Sequence, residues 1–206
     1  MHIGVLALQG SFAEHIQSFR RLGVSATEVR LPQDLDGLHG LVIPGGESTT
    51  ISRLLNECAL LFPLSRTIAA GFPVWGTCAG MILLARRSTD MHLPTLAAID
   101  IAVKRNGWGR QVDSHETEID VPALGSPRFR AIFIRPPVIT DVGPQVSRLA
   151  QTDDGAIVAV RQGNVLATAF HPELTVDLRF HNYFIQIAKA AGTETAQTEN
   201  IVLTTS

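Results

Sequence analysis

Cys78 lies in Gly76-Thr77-Cys78-Ala79-Gly80, directly after the apolar run Phe72-Pro73-Val74-Trp75 and directly before the helix-forming run Met81-Ile82-Leu83-Leu84-Ala85. Small residues on either side of a reactive atom let the chain turn sharply from strand into helix, presenting the side chain at a sheet edge with backbone N–H groups beside it. The turn sets Cys78 at a helix N-terminus, where unpaired N–H groups and the helix dipole favour the thiolate, the form of cysteine that attacks carbonyl carbon. Glycines around a cysteine also serve tight packing of a helix on a strand, so a second feature is needed. Far downstream, His171-Pro172-Glu173 ends the apolar run Val165-Leu166-Ala167-Thr168-Ala169-Phe170. A histidine and a carboxylate leave a strand together, and Pro172 restricts the backbone between them. The carboxylate can then bond one ring nitrogen and leave the other to take a proton from Cys78. Nucleophile, base and base-orienting group are the parts of covalent acyl transfer.

The other histidines, His2, His15, His39, His92, His115 and His181, have no comparable carboxylate at a strand end and are expected to be structural or solvated. Cys58 sits in the helical stretch Leu54-Leu55-Asn56-Glu57-Cys58 and is expected to pack in the core rather than react. Gly45-Gly46 follows a strand, and without side chains its backbone can come close to a ligand. Gly46 N–H and Ala79 N–H together would form an oxyanion hole for the negative oxygen that develops when Cys78 adds to a carbonyl. The alternative is a turn of two glycines with no ligand.

These groups need a scaffold that brings strand ends together. The chain has 206 residues, 45% of them hydrophobic, enough for one domain with a sizeable core over residues 1–191. A net charge of −2 with scattered basic residues argues against binding nucleic acid or an anionic membrane by electrostatics. Two cysteines, one of them at the elbow, make no disulfide framework, and the chain starts on a strand rather than a charged leader, so a cytoplasmic location is expected. No apolar run approaches the ~20 residues that span a bilayer. There is no phosphate loop, dinucleotide fingerprint or paired Cys-x-x-Cys, so no cofactor and no metal is expected.

Ile3-Gly4-Val5-Leu6-Ala7-Leu8 predicts a buried strand, and Ser11 with Glu14 a capping box opening a helix to about Leu22. Strands are expected at 27–30 and 40–44, helices at about 48–56 and 59–70, then the elbow strand and its helix. Beyond it come strands at 99–105, 115–120, 129–134, 146–151, 156–161 and 165–170, and a helix from about Thr175 to Ala191. From Gly192 to Ser206 a polar tail is expected to stay loosely ordered. Alternating strand and helix with near-continuous apolar strands predicts an α/β fold of three layers, a mainly parallel, mixed sheet flanked by helices, with active groups at the strands' C-terminal ends.

Taken together, these residues resemble the class I (triad) glutamine amidotransferases, a flavodoxin-like family in which a Cys-His-Glu set hydrolyses glutamine to glutamate and ammonia. Further segments narrow the match: Leu8-Gln9-Gly10 with Glu14-His15, Pro44-Gly45-Gly46-Glu47-Ser48-Thr49-Thr50, Arg105-Asn106 with Gly109-Arg110-Gln111-Val112-Asp113-Ser114, Phe133-Ile134-Arg135 and Phe170-His171-Pro172-Glu173-Leu174. From residue 3 to about 190 the chain looks like the glutaminase subunits of pyridoxal 5'-phosphate synthase. The elbow and His-Pro-Glu occur across many amidotransferases, whereas Gly-Gly-Glu-Ser-Thr-Thr and Gly-Arg-Gln-Val-Asp-Ser are more particular to these subunits.

The resemblance implies Cys78 as nucleophile, His171 as base then acid, and Glu173 as the group that orients the imidazole. It implies Gly46, Glu47, Ser48, Arg105, Ile134 and Arg135 as glutamine-binding. It further implies a partner, the synthase (lyase) subunit, which would receive the ammonia within a large hetero-oligomer, with activity weak alone and an oxyanion hole assembled on docking. Pyridoxal phosphate would be a product of that complex, not a ligand here. Two segments depart from the family pattern: Ile134-Arg135-Pro136-Pro137, where Pro136 removes a backbone donor, and Asn106-Gly107-Trp108-Gly109. Rival readings are the glutaminase subunit of another amidotransferase, which should lack Gly-Arg-Gln-Val-Asp-Ser, and a cysteine peptidase or chaperone-like protein of similar architecture, whose peptidase form cleaves peptides without glutamine. A third is a binding-only subunit, whose Cys78 no glutamine-like electrophile would label.

Overall fold

A computed structural model describes residues 1–89, 94–105 and 114–204, with side chains through 193. Four strands buried along nearly their whole length form its centre: β1 (His2–Leu6), β3 (Gly40–Ile43), β4 (Val74–Thr77) and β12 (Val165–Thr168). With β2 (Ser25–Val29), β10 (Ser147–Gln151) and β11 (Ile157–Gln162) they make a seven-stranded sheet in the order β10-β11-β12-β4-β3-β1-β2. Pairing from β12 to β2 is parallel, and β10 and β11 run antiparallel at one edge. The mixed, mainly parallel sheet expected from the sequence is therefore present.

The two faces of β4 take different helices, as alternation along a strand requires. Trp75 and Thr77 point toward α1 (Phe12–Arg21) and α5 (Arg179–Thr204), where Trp75 packs against His15, Phe180, His181 and Phe184. Gly76, on the opposite face, lies against α4 (Ala79–Leu84), next to which α2 (Ser48–Glu57) packs, followed in the chain by α3 (Leu61–Ala69). A Cβ on Gly80 would stand 2.0 Å from the Ile43 carbonyl oxygen, so α4 can rest on β3 because residue 80 has no side chain. Backbone cannot yield as a flexible side chain can. Gly80→Ala is expected to destabilise the fold by about 3 kcal/mol, the upper part of the usual range for overpacking. A shift of the urea midpoint at constant m-value measures it.

The second half of the chain adds two small sheets, β5-β6-β9 from Ala85–Ser88, Ile99–Lys104 and Val138–Val142, and the hairpin β7-β8 from Ser114–Ile119 and Phe129–Ile134. Neither β5 nor β9 is expected from the sequence. Met81-Ile82-Leu83-Leu84-Ala85 reads as one helical run, but the helix stops at Leu84 and the chain continues as strand, parallel to β6. The last helix begins at Arg179 rather than Thr175, after a 3-10 turn at Pro172–Leu174, with Asp177 accepting from the Arg179 amide at 3.0 Å. Its backbone stays helical through Thr204, beyond Gly192, where the composition suggests an end. Among the described residues no helix is long and apolar enough to cross a membrane.

Candidate active site

β1, β3, β4 and β12 all deliver their C-terminal ends to one edge of the sheet, where parallel α/β sheets place their ligands. A cleft of about 380 Å³ opens there, lined by Gln9, Gly45, Gly46, Glu47, Ser48, Cys78, Ala79, Arg105, Ile134, Arg135 and His171 among others. Every site residue expected from the sequence lines it except Glu173, which is buried directly behind His171.

Cys78 joins β4 to α4 with φ 48° and ψ −103°, a conformation that non-glycine residues rarely adopt. Backbone strain of this kind persists where the surroundings overdetermine it. Gly76 and Gly80 allow it, since a Cβ on Gly76 would stand 2.5 Å from the Gly80 backbone. The elbow expected around Cys78 is formed, and the thiol rests 3.8 Å from the Ile134 carbonyl oxygen. Ala79 is the first residue of α4, where backbone N–H groups have no partner within the helix.

His171 follows shortly after β12 and stands close enough to Cys78 for the two side chains to interact. Its Nδ1 lies 2.8 Å from Glu173 Oε1, the imidazole–carboxylate pair expected of His-Pro-Glu. Burial alone would lower the proton affinity of the ring. The neighbouring Cys78 side chain and the Glu173 carboxylate outweigh it and raise the pKa to about 10. Burial would likewise raise Glu173, but His15 and His171 hold its carboxyl well below the usual range. An imidazole placed between a thiol and a buried carboxylate can take a proton from the one while its charge is balanced by the other. Gly45 makes room for it, because a Cβ there would meet His171 Cε1 at 2.3 Å.

The far wall carries opposite charges. Glu47 is the N-cap of α2, accepting from the amides of Thr49 and Thr50, and its Oε1 stands 2.9 Å from Arg105 Nη2. Slight burial would raise its pKa, but the Thr49 and Thr50 hydroxyls and amides bring it down to about 2. Gln9 Oε1 accepts from the Glu47 amide at 2.7 Å and ties the end of β1 to the same wall. Ile134 and Arg135 close the cleft from the end of β8. Arg135 has φ 42° and precedes Pro136, a position where proline also restricts its neighbour, so that turn is a second strained point beside Cys78. Residues 106–113, which hold Asn106-Gly107-Trp108-Gly109 and most of Gly-Arg-Gln-Val-Asp-Ser, lie outside the described residues.

Two residues beside Glu173, Ser11 and His15, carry more than the sequence suggests. Ser11 caps α1 without a side-chain cap bond, so the expected capping box with Glu14 is not formed. Its hydroxyl donates instead to Glu173 Oε1 at 2.5 Å. His15 is fully buried, with Nε2 3.3 Å from Glu173 Oε2 and 3.3 Å from Thr77 Oγ1, and Nδ1 3.0 Å from His181 Nε2. The legible signal was a polar residue on the apolar stripe Phe12, His15, Ile16, Phe19, with His181 in the matching place beside Phe180 and Phe184. Cys58 caps the C-terminus of α2 and packs against the core at the edge, as expected. No group of three or more His, Cys, Asp or Glu side chains among the described residues is placed to hold a metal ion.

Comparison with known proteins agrees with this geometry. A sequence model described as the SNO glutamine amidotransferase family matches residues 5–190. Pyridoxal 5'-phosphate synthase subunit PdxT of Herpetosiphon aurantiacus is 54% identical over 188 residues, covering 90% of this chain and 99% of that protein. The protein of the same name from Moorella thermoacetica is 53% identical over 187 residues, covering 91% and 99%. A crystal structure described as a glutamine amidotransferase superposes with a TM-score of 0.86 at 45% identity, over 91% of this chain and 98% of that one. A putative GMP synthase component from Thermoplasma acidophilum, at a TM-score of 0.69 and 20% identity over 95% and 98%, shares the fold. With its family model matched over nearly the whole length, this chain belongs to the SNO glutamine amidotransferase family.

Proposed function

We propose that the chain hydrolyses L-glutamine to L-glutamate and ammonia and passes the ammonia to a pyridoxal 5'-phosphate synthase subunit. The observation that carries this reading is the strained Cys78 elbow beside an imidazole that Glu173 holds from behind. Relatives named as subunits of pyridoxal 5'-phosphate synthase, identical at about half of their positions over nearly full length, support the reading of a partner. In the reaction, Cys78 gives its thiol proton to His171, its sulfur adds to the amide carbon of glutamine, and the oxyanion is held by the amides of Gly46 and Ala79. His171 gives its proton to the amide nitrogen, the C–N bond breaks, ammonia departs and a glutamyl thioester remains. His171 then takes a proton from water, whose oxygen attacks the thioester. The C–S bond breaks, His171 returns its proton to the sulfur, and glutamate leaves with the thiol restored.

An amino-acid substrate brings one carboxylate and one ammonium, so it needs donors and acceptors on the same wall. Glu47 and Arg105 provide both, with Gly46, Ser48 and the Ile134-Arg135 backbone completing the slot. Apolar side chains at its rim suit a docked partner: Leu174 lines the cleft, and Val176, two residues on, is 84% exposed. Glutamate release by the chain is expected to rise about 5- to 150-fold when the synthase subunit is added, the span of an ordinary coupling free energy. No release from glutamine with or without that subunit would reject the reading.

A further inference from the structure

Behind the cleft, buried polar groups converge on one carboxylate, and the chemistry described so far does not use them all. Oε1 of Glu173 is occupied by His171 Nδ1 at 2.8 Å and by the Ser11 hydroxyl at 2.5 Å. Oε2 is sealed from solvent and meets no well-aligned hydrogen-bond donor among the described residues. Its near neighbour is His15 Nε2 at 3.3 Å, from a ring that α1, β4 and α5 enclose completely. A buried carboxylate oxygen left without a donor is costly, and a carboxylate with one satisfied oxygen can turn about its last bond to find another. We propose that His15 is a positioning residue of the catalytic set, its Nε2–H holding Glu173 Oε2 so that Oε1 stays in line with His171 Nδ1.

The reading of Cys78, His171 and Glu173 as a glutaminase triad underlies this inference. Three further observations support it. First, His15 cannot turn away, because its Nδ1 is tied to His181 Nε2 at 3.0 Å and its ring packs edge-on against Trp75 with centroids 5.4 Å apart. Second, His181 is held neutral by burial and by His15, so the pair does not place two positive rings side by side. Third, His15 acts on the carboxylate strongly enough to head the influences that keep it ionised against burial. The charged and titratable groups around this point are Glu173 and His171 from the 3-10 turn, His15 from α1, His181 from α5 and Cys78 from the elbow, with Arg21 acting on His181 at longer range. Thr77 Oγ1, from β4, shares His15 Nε2 at 3.3 Å.

Glutamine and asparagine at position 15 separate the two ends of the ring. The amide nitrogen of glutamine reaches the place of Nε2 and can still serve Glu173, whereas that of asparagine reaches the place of Nδ1 and serves His181. His15→Asn and His15→Phe are expected to lower kcat for glutamate release about 10- to 100-fold with KM unchanged, as loss of an outer group that orients a reacting one typically does. His15→Gln should stay within about threefold of the parent. The second readout needs no glutamine: the titration of the His171 ring, followed by NMR and assigned with His171→Gln. Its midpoint should fall by at least about one unit in His15→Asn and His15→Phe and hold in His15→Gln, because a carboxylate out of line no longer supports the imidazolium. Should His15→Phe fail to fold, the contrast between glutamine and asparagine decides. Equal values for those two, in both kcat and the His171 midpoint, would overturn the proposal. A parent chain with no glutaminase activity would instead remove the triad reading, and the His171 titration would still report whether His15 holds the carboxylate.

Discussion

Cys78→Ala is expected to reduce glutamate release in the presence of the synthase subunit by at least about 10,000-fold, because a covalent route loses its nucleophile outright. Binding should survive. Alanine fits the elbow without new contacts, and the residues proposed to hold the amino-acid part of glutamine, Glu47 and Arg105, stand across the cleft. Glutamine should therefore still raise the thermal midpoint of the variant as it does that of the parent. The alanine side chain removes nothing from the core, since Cys78 already opens on the cleft, and the strained φ of 48° suits neither residue better. Stability in urea should accordingly change by less than about 1 kcal/mol. Turnover that survives the substitution would show that the sulfur is not the attacking atom. Turnover lost together with the fold would show only that position 78 is structural, which the urea midpoint separates.

Much of the site is legible before any coordinates, for a physical reason. A nucleophile needs a sharp turn, a sharp turn needs small residues, and the small residues stand directly beside Cys78 in the chain. His171 and Glu173 are close in sequence, so their pairing at 2.8 Å follows from the local backbone as much as from the fold. The parallel strands are legible because burial on both faces makes them continuous apolar runs. The misses have the opposite character. β9 is five residues of VITDV after two prolines, with one buried side chain, and its pairing with β6 lies far away in the sequence. Ser11 satisfies a helix-cap pattern, in which its oxygen would accept from a backbone N–H, but its side chain turns instead to donate a charge-assisted hydrogen bond to a carboxylate 162 residues away. Nothing local marks His15, because no strand-end carboxylate stands near it in the chain. The carboxylate it meets is the one that the sequence already pairs with His171.

Glu173→Gln tests the electrostatic half of the same arrangement, and its sign follows from what raises the His171 pKa to about 10. Burial opposes the proton there, while Cys78 and Glu173 favour it. Removing the carboxylate charge leaves burial opposed by Cys78 alone, so the pKa must fall toward or below the ordinary imidazole value near 6.5. In the proposed mechanism His171, carrying the proton taken from Cys78, is the acid that protonates the leaving nitrogen, so activity needs the protonated ring and is lost as pH rises through its pKa. In the parent, kcat should hold through pH 8 and fall off toward about 10, whereas in Glu173→Gln the alkaline fall should come at least about one unit earlier. At pH 7 the variant should lose about 1,000-fold in kcat with little change in KM, in keeping with triads that lose the carboxylate and keep their geometry. The amide can also bond Nδ1 in the wrong sense, donating where the ring should donate, which fixes the wrong tautomer and adds to the loss. A variant whose alkaline fall stays where the parent has it would mean that Glu173 holds the ring in place without sustaining its charge, and the height of the pKa would then rest on Cys78.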